Sequence, residues 1–167
     1  MIEIRALHSG DAGQIWQLSQ QAYPGSFSLS EQDLEETLDD LTPEENFCFG
    51  VFDEDRLIAY LMCWLDTSQI EERLDEPVLL LDDIVVHGAS RRYLIRLLRR
   101  LRQSIEERNL HHLAIEGTHR QQAEELFNRH PQVVRGLGYQ LAAIHHYFGE
   151  REQERLCWAR YEPVQDE

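Results

Sequence analysis

Along the chain the spacing of apolar positions switches repeatedly between the alternation of a strand and the three-to-four spacing of a helix. Residues 2–7 alternate and predict a first strand, ended by Ser9, Gly10 and Asp11, a helix-start signal. Ile15, Trp16, Leu18 and Ala22 carry a helical spacing up to Pro24 and Gly25. Ser30 ahead of Glu31 and Asp33 forms a capping box that opens a second, short helix with Leu34, Leu38 and Leu41 on its apolar side. Residues 47–52 and 57–65 are strand-like runs separated by the polar turn 53–56. The acidic stretch 66–77 has no periodic pattern and reads as a surface loop. Residues 78–86 are almost continuously apolar, as expected of a central strand covered on both faces.

Tyr93, Leu94, Leu97, Leu98, Leu101 and Ile105 draw one apolar stripe on a helix over residues 90–109. Residues 110–117 then predict a strand, 118–129 a helix carrying Ala123, Leu126 and Phe127, and 131–138 a loop. Residues 139–148 and 156–161 read as two last strands joined by the turn 149–154. No internal repeat or low-complexity stretch interrupts this order. A chain of 167 residues is long enough to bury one core, so a single α/β domain spanning residues 1–167 is expected.

Composition narrows the function more than the fold. Thirty-one acidic residues against 16 basic ones leave a net charge of -15, which repels nucleic-acid phosphates and anionic membranes and favours basic substrates or partners. No run approaches the roughly 20 apolar residues of a spanning helix, and the N-terminus lacks the basic start and apolar core of a secretory signal, so a cytoplasmic protein is expected. Cys48, Cys63 and Cys157 are odd in number and embedded in apolar runs, which reads as reduced core thiols. All 16 basic residues are arginines, and seven of them (Arg91, Arg92, Arg96, Arg99, Arg100, Arg102 and Arg108) fall in one segment with no acid before Glu106. That segment is a positive island on a negative protein.

The order strand, helix, helix, three strands, helix, strand, helix, two strands resembles that of the GNAT (Gcn5-related N-acetyltransferase) superfamily over essentially the whole chain. Local resemblances accompany it: Tyr23-Pro24-Gly25-Ser26-Phe27-Ser28 between the first helices, Leu81-Asp82-Asp83-Ile84-Val85-Val86 on the fourth strand, and Leu137-Gly138-Tyr139 before the last hairpin. The resemblance implies a mixed central sheet of about seven strands with four helices, in which the fourth and fifth strands splay apart. It implies acetyl-CoA as co-substrate, its pantetheine arm pairing with backbone groups of Ile84, Val85 and Val86. The pyrophosphate would then meet Ser90, Arg91, Arg92, Tyr93 and Leu94 at the start of the long helix, where unpaired N–H groups and the helix dipole favour an anion.

Here the chain departs from the family signature Arg/Gln-x-x-Gly-x-Gly/Ala, whose small residues let the backbone close on the phosphates. Tyr93 and Leu94, or Leu94 and Arg96, stand in the glycine positions. Either bulky side chains narrow the cradle, or the guanidinium groups of Arg91 and Arg92 replace backbone contacts with bidentate ones. Arg99, Arg100 and Arg102 lie further along and fit a solvated helix face better.

Amine acylation needs a neutral amine held beside the thioester carbonyl and a base for its proton. Asp82 and Asp83 interrupt an apolar strand, where burial would raise a carboxylate towards a useful basic range, and they resemble the acidic pair of many GNAT enzymes. Strand alternation sends them to opposite faces, and Asp83 is the preferred catalytic residue with Asp82 second. The plain alternative is an acid paired with an arginine or capping nearby backbone. The family's general acid is a tyrosine in a pattern like Asn-x-x-Ala-x-x-Leu-Tyr. Residues 121–127 place Phe127 there, so the leaving thiolate departs unaided, another group such as Tyr139 or Tyr147 substitutes, or the protein is not a catalyst.

The pairs His111-His112 and His145-His146 fall on predicted strands, where neighbours point to opposite faces, so no metal site is expected. Two functions from different classes remain. One is an acyl-CoA-dependent N-acyltransferase acting on a primary amine of a small molecule, peptide or protein, with a cationic acceptor favoured by charge. The other is a catalytically inactive GNAT-like domain acting as a ligand-sensing or protein-binding module. A homodimer is compatible with both.

Overall fold

The computed structural model describes residues 1–24, 29–67, 77–86, 91–120, 130–147 and 156–165. A strand β1 (Ile2–Ala6) leads through a short 3-10 turn (Ser9–Asp11) into α1 (Ala12–Ala22) and α2 (Glu31–Asp40). There follow β2 (Phe49–Asp53), β3 (Arg56–Asp66), β4 (Val78–Val85) and the long helix α3 (Arg91–Glu107). The chain ends with β5 (Ile115–Arg120), the short helix α4 (Pro131–Gly136), β6 (Tyr139–Tyr147) and β7 (Leu156–Pro163). All the strands join one 7-stranded sheet in the order β1-β2-β3-β4-β5-β7-β6. Its neighbours are antiparallel except for β4 and β5.

Two apolar layers sandwich this sheet. On one face Leu97, Leu101 and Ile105 of α3 pack on Phe47, Phe49, Leu61 and Leu79. On the other, Ile15 and Leu18 of α1 with Leu34 and Leu38 of α2 pack on Cys48, Phe52, Tyr60 and Met62. Helices α1, α2 and α3 form where the sequence predicts them because each carries one apolar stripe and a polar remainder. The capping box at α2 is present: the Ser30 hydroxyl accepts from the Asp33 backbone N–H at 3.1 Å, and Asp33 Oδ2 accepts from the Ser30 backbone N–H at 3.3 Å.

The turn after β1 is held by charge. Asp11 is buried and accepts from both terminal nitrogens of Arg5 at 2.9 Å and from the His8 backbone N–H at 3.0 Å. Burial alone would raise the Asp11 carboxyl, but the Arg5 guanidinium and the His8 N–H outweigh it and hold the group below its ordinary value.

Three predicted segments differ. The strand expected over residues 110–117 starts only at Ile115. Asn109 takes a left-handed φ of 57°, Leu110 N–H bonds back to the Ile105 carbonyl at 3.0 Å, and the chain turns under the helix before it reaches the sheet. His111 and His112 therefore lie in that turn and not on a strand, with their ring centroids 6.2 Å apart.

The helix expected over 118–129 loses its first residues to β5, because Thr118, His119 and Arg120 find ladder partners in Trp158, Cys157 and Leu156 of β7. Its remainder lies outside the described residues. The loop expected over 131–138 contains α4 instead, with Pro131 at its start and Gly138, at φ 83°, after its end. Proline pre-sets the first helical φ and glycine accepts the left-handed one, a signal that the sequence carried.

Candidate functional site

Where two parallel strands of an open sheet part, a crevice forms at their carboxyl ends, and such sheets bind ligands there. The β4–β5 ladder consists of Leu79↔Ile115, Leu80↔Glu116 and Leu81↔Gly117. Beyond these pairs β4 runs on to Val85 with partners on β3 alone, and β5 runs on to Arg120 with partners on β7 alone. The splay expected of the fourth and fifth strands is present. Above Leu81 one edge of β4 has no strand partner among the described residues, and α3 begins at that same end of the sheet.

Ile84 and Val85 stand on the open stretch, paired across their other edge with Leu61 and Tyr60. Val86 follows them and is half-buried. Ser90 and the side chain of Arg91 lie outside the described residues, while Arg91 itself opens α3. Arg92 is exposed, its guanidinium carbon 5.3 Å from the centroid of the Tyr93 ring. Tyr93 and Leu94 are buried in the cluster between α3 and the sheet. Their bulk is therefore directed inward, whereas Arg96 is exposed.

The arginine island divides. The Arg100 guanidinium lies 4.9 Å from the centroid of the Phe49 ring and that of Arg108 4.1 Å from Phe47, and Arg108 Nη1 donates to the carbonyls of Glu44 and Asn46. Arg102 Nη1 donates to the Gly136 carbonyl at 2.6 Å. These residues staple α3 to its surroundings. Arg96 and Arg99 are exposed, as a solvated face requires.

The two aspartates do not follow simple alternation. Met62 pairs with Asp83 and the next residue, Cys63, with Leu81, so Asp82 is the extra residue of a β-bulge. Leu81 and Ile84 consequently face the same α3 cluster, which an unbroken alternation forbids, and Val85 faces the α1–α2 cluster. The expectation that Asp82 and Asp83 point to opposite faces rested on a period of two that the bulge interrupts. Both aspartates are half-buried, and Asp83 Oδ2 accepts a hydrogen bond from the Tyr60 hydroxyl at 2.9 Å.

Sequence reasoning overlooked Tyr60 and also Glu116. The latter is 3% exposed and accepts from Arg160 Nη1 at 2.6 Å, one ladder row below the point where β4 and β5 separate. A lone acid between Ile115 and Gly117 was the available signal. Tyr139 belongs elsewhere: its hydroxyl donates to the Leu113 carbonyl at 2.9 Å and burial pushes it up to about 12. It lines a cavity of about 1200 Å³ with Arg102, His111, His112 and Arg135, none of them on β4, β5 or the first turn of α3. Tyr139 therefore stands away from the fork of β4 and β5. Phe127 and the Tyr147 side chain lie outside the described residues.

No family model matches the chain, and no curated protein matches it in sequence. Solved structures do match in shape. A probable acetyltransferase from Staphylococcus epidermidis superposes with a TM-score of 0.70 at 16% identity, covering 98% of this chain and 100% of that one. An acetyltransferase of the GNAT family from Streptococcus pneumoniae gives 0.65 at 12% identity over 99% and 100% of the two chains. The fold is that of the GNAT acetyltransferases. A third match is the diaminobutyrate acetyltransferase from Paenibacillus lautus, in complex with L-2,4-diaminobutyric acid and coenzyme A, with a TM-score of 0.64 at 15% identity over 99% and 98%. Within the GNAT fold of this chain, the fork above Leu81, the first turn of α3 and the Tyr60–Asp83 pair stand at one end of the sheet.

Proposed function

We propose that this protein is a single-domain, cytoplasmic N-acyltransferase that moves an acetyl group from acetyl-CoA to a primary amine. The observation that carries the reading is the end of the β4–β5 ladder at Leu81↔Gly117 beside the start of α3. A strand edge left open along Ile84, Val85 and Val86 offers backbone groups to the amides of a pantetheine arm. The first turn of α3 offers free N–H groups and its positive dipole end to a pyrophosphate, and Ser90, Arg91 and Arg92 add polar and cationic side chains. Tyr93 and Leu94 leave that approach clear, because their side chains are buried on the inner side of the helix.

Bound acetyl-CoA supplies the activated acyl group. The chain's own share is to hold the acceptor amine in the fork and to take its proton on Asp83, with Asp82 beside it on the bulge. Charge supports a cationic acceptor: the net charge is -15, and Glu31, Asp33, Glu35, Glu36, Asp39 and Asp40 are exposed on α2, in the helical layer that covers the Asp83 face. The Paenibacillus lautus protein, bound to a diamino acid, is in keeping with that class.

Thermal melting with and without acetyl-CoA, followed by thiol release across a panel of amines, tests the proposal. A ligand at 100 times its dissociation constant adds about 2.7 kcal/mol of stability. A melting shift with thiol release is expected. A shift without release points to the ligand-sensing alternative, and no shift at millimolar acetyl-CoA rejects the acyltransferase.

A further inference from the structure

The cavity of about 1200 Å³ at the far end of α3 has no part in the proposed reaction. Arg102 and Glu106 line it from the last turns of the helix, which starts at Arg91, so at about 1.5 Å per residue it lies roughly 20 Å from the fork. His111 and His112 line it from the turn after α3, and Arg135 from α4. A strand over residues 110–117 would have sent the two histidines to opposite faces. The left-handed Asn109 and the Leu113 N–H bonded to the Leu110 carbonyl make a turn there instead, and both residues line the one cavity.

Charge singles this cavity out. The chain has 31 acidic residues against 16 basic ones, yet the acid in this lining is Glu106, and Arg102 takes it at 3.0 Å. The Arg135 guanidinium and the rings of His111 and His112 are exposed and have no hydrogen-bond or ion-pair partner among the described residues. Nor do open carbonyls stand ready to repel an anion. Those of Ser104, Ile105 and Glu106 accept from the N–H groups of Arg108, Leu110 and Asn109, and that of Gly136 accepts from Arg102 Nη1. The described residues hold no group of three His, Cys, Asp or Glu suited to a metal ion.

We propose that this cavity binds a small multivalent oxyanion, a phosphate or a polycarboxylate, at a site separate from the fork of β4 and β5. The Arg135 guanidinium takes two of its oxygens as a bidentate pair, and His111 and His112 donate ring N–H groups to others. A cleft focuses the field of the charges that line it, which draws an anion to a chain whose net charge is -15. The site stands whether or not the chain transfers acyl groups.

Isothermal titration at fixed ionic strength tests the site, with inorganic phosphate in one arm and citrate in the other. The proteins are wild-type, Arg135→Gln, the double variant His111→Gln with His112→Gln, and Arg92→Ala. The replaced cavity residues are exposed and unbonded, so those variants should melt with the wild-type when no anion is present. Wild-type should show one saturable site, and the tighter arm tells a phosphate ligand from a carboxylate one. Arg135→Gln and the double variant should each weaken it by about tenfold or more, the loss of hydrogen bonds to a charged group. Arg92→Ala, at the opposite end of α3, should leave it unchanged. No saturable binding in either arm overturns the proposal, as does binding that survives undiminished in Arg135→Gln and the double variant. Binding that only Arg92→Ala abolishes belongs to the fork and overturns it as well.

Discussion

Leu81 and Gly117 form the last pair of the β4–β5 ladder. Below them the strands share hydrogen bonds and a common core. Above them β4 stays with β3 and β5 follows β7, so among the described residues the two strands part at the end of the sheet where α3 starts. The geometry of a parallel pair at its carboxyl ends and the free N–H groups of a helix start are thereby brought together.

Arg92 is an exposed cation of that first turn, so Arg92→Ala should weaken acetyl-CoA binding by about tenfold, or ~1.4 kcal/mol. Arg99→Ala, further along the same helix, should leave it unchanged. Isothermal titration of both variants checks the pair, and equal affinities would remove Arg92 from the site.

Gly50 marks a close approach between β2 and the layer under α1. A Cβ there would stand 2.7 Å from side-chain carbons of both Leu7 and Leu57 and 2.8 Å from one of Phe52. Gly50→Ala should destabilise the fold by about 1–3 kcal/mol through overpacking, measured by urea unfolding.

The Arg5–Asp11 pair makes a pH-dependent contribution. Asp11 is held below its ordinary value of 3.8, so its stabilisation is complete above that pH and is lost as pH falls through the lower folded value. Asp11→Asn should cost about 2 kcal/mol at neutral pH, from hydrogen bonds to a charged group. The gap from wild-type in urea midpoints should hold at pH 5–7 and close only below about pH 3.8. A gap that widens on acidification would contradict the assignment.

Ser19 on α1 is 4% exposed and its hydroxyl has no hydrogen-bond partner among the described residues. An unsatisfied buried hydroxyl is a cost, so Ser19→Ala should be neutral or raise stability by up to about 1 kcal/mol. Thermal melting of the variant in the absence of ligand decides it, and a clear loss would mean that the hydroxyl is satisfied in solution.

Helix positions were legible in the sequence because an amphipathic stripe and a capping box are local signals: α1, α2 and α3 depend on residues within a turn or so of each other. The strands β1 to β4 were legible for the same reason, and so was the order of elements that resembles the GNAT fold. Boundaries after α3 were not, since the onset of β5 at Ile115 and its extension through Thr118 to Arg120 follow from ladder partners distant in sequence, on β4 and β7.

The sequence by itself determined which residues were candidates: two aspartates in an apolar strand and arginines at a helix start. Only the tertiary structure decided their arrangement. The bulge at Asp82 exists because β3 and β4 pair out of step by one residue, and a one-residue step exchanges the faces of every side chain beyond it. Tyr60 met Asp83 through that step, and the side chains of Tyr93 and Leu94 turned inward because α3 packs its stripe on the sheet. Such contacts join residues whose separation along the chain leaves no periodic trace.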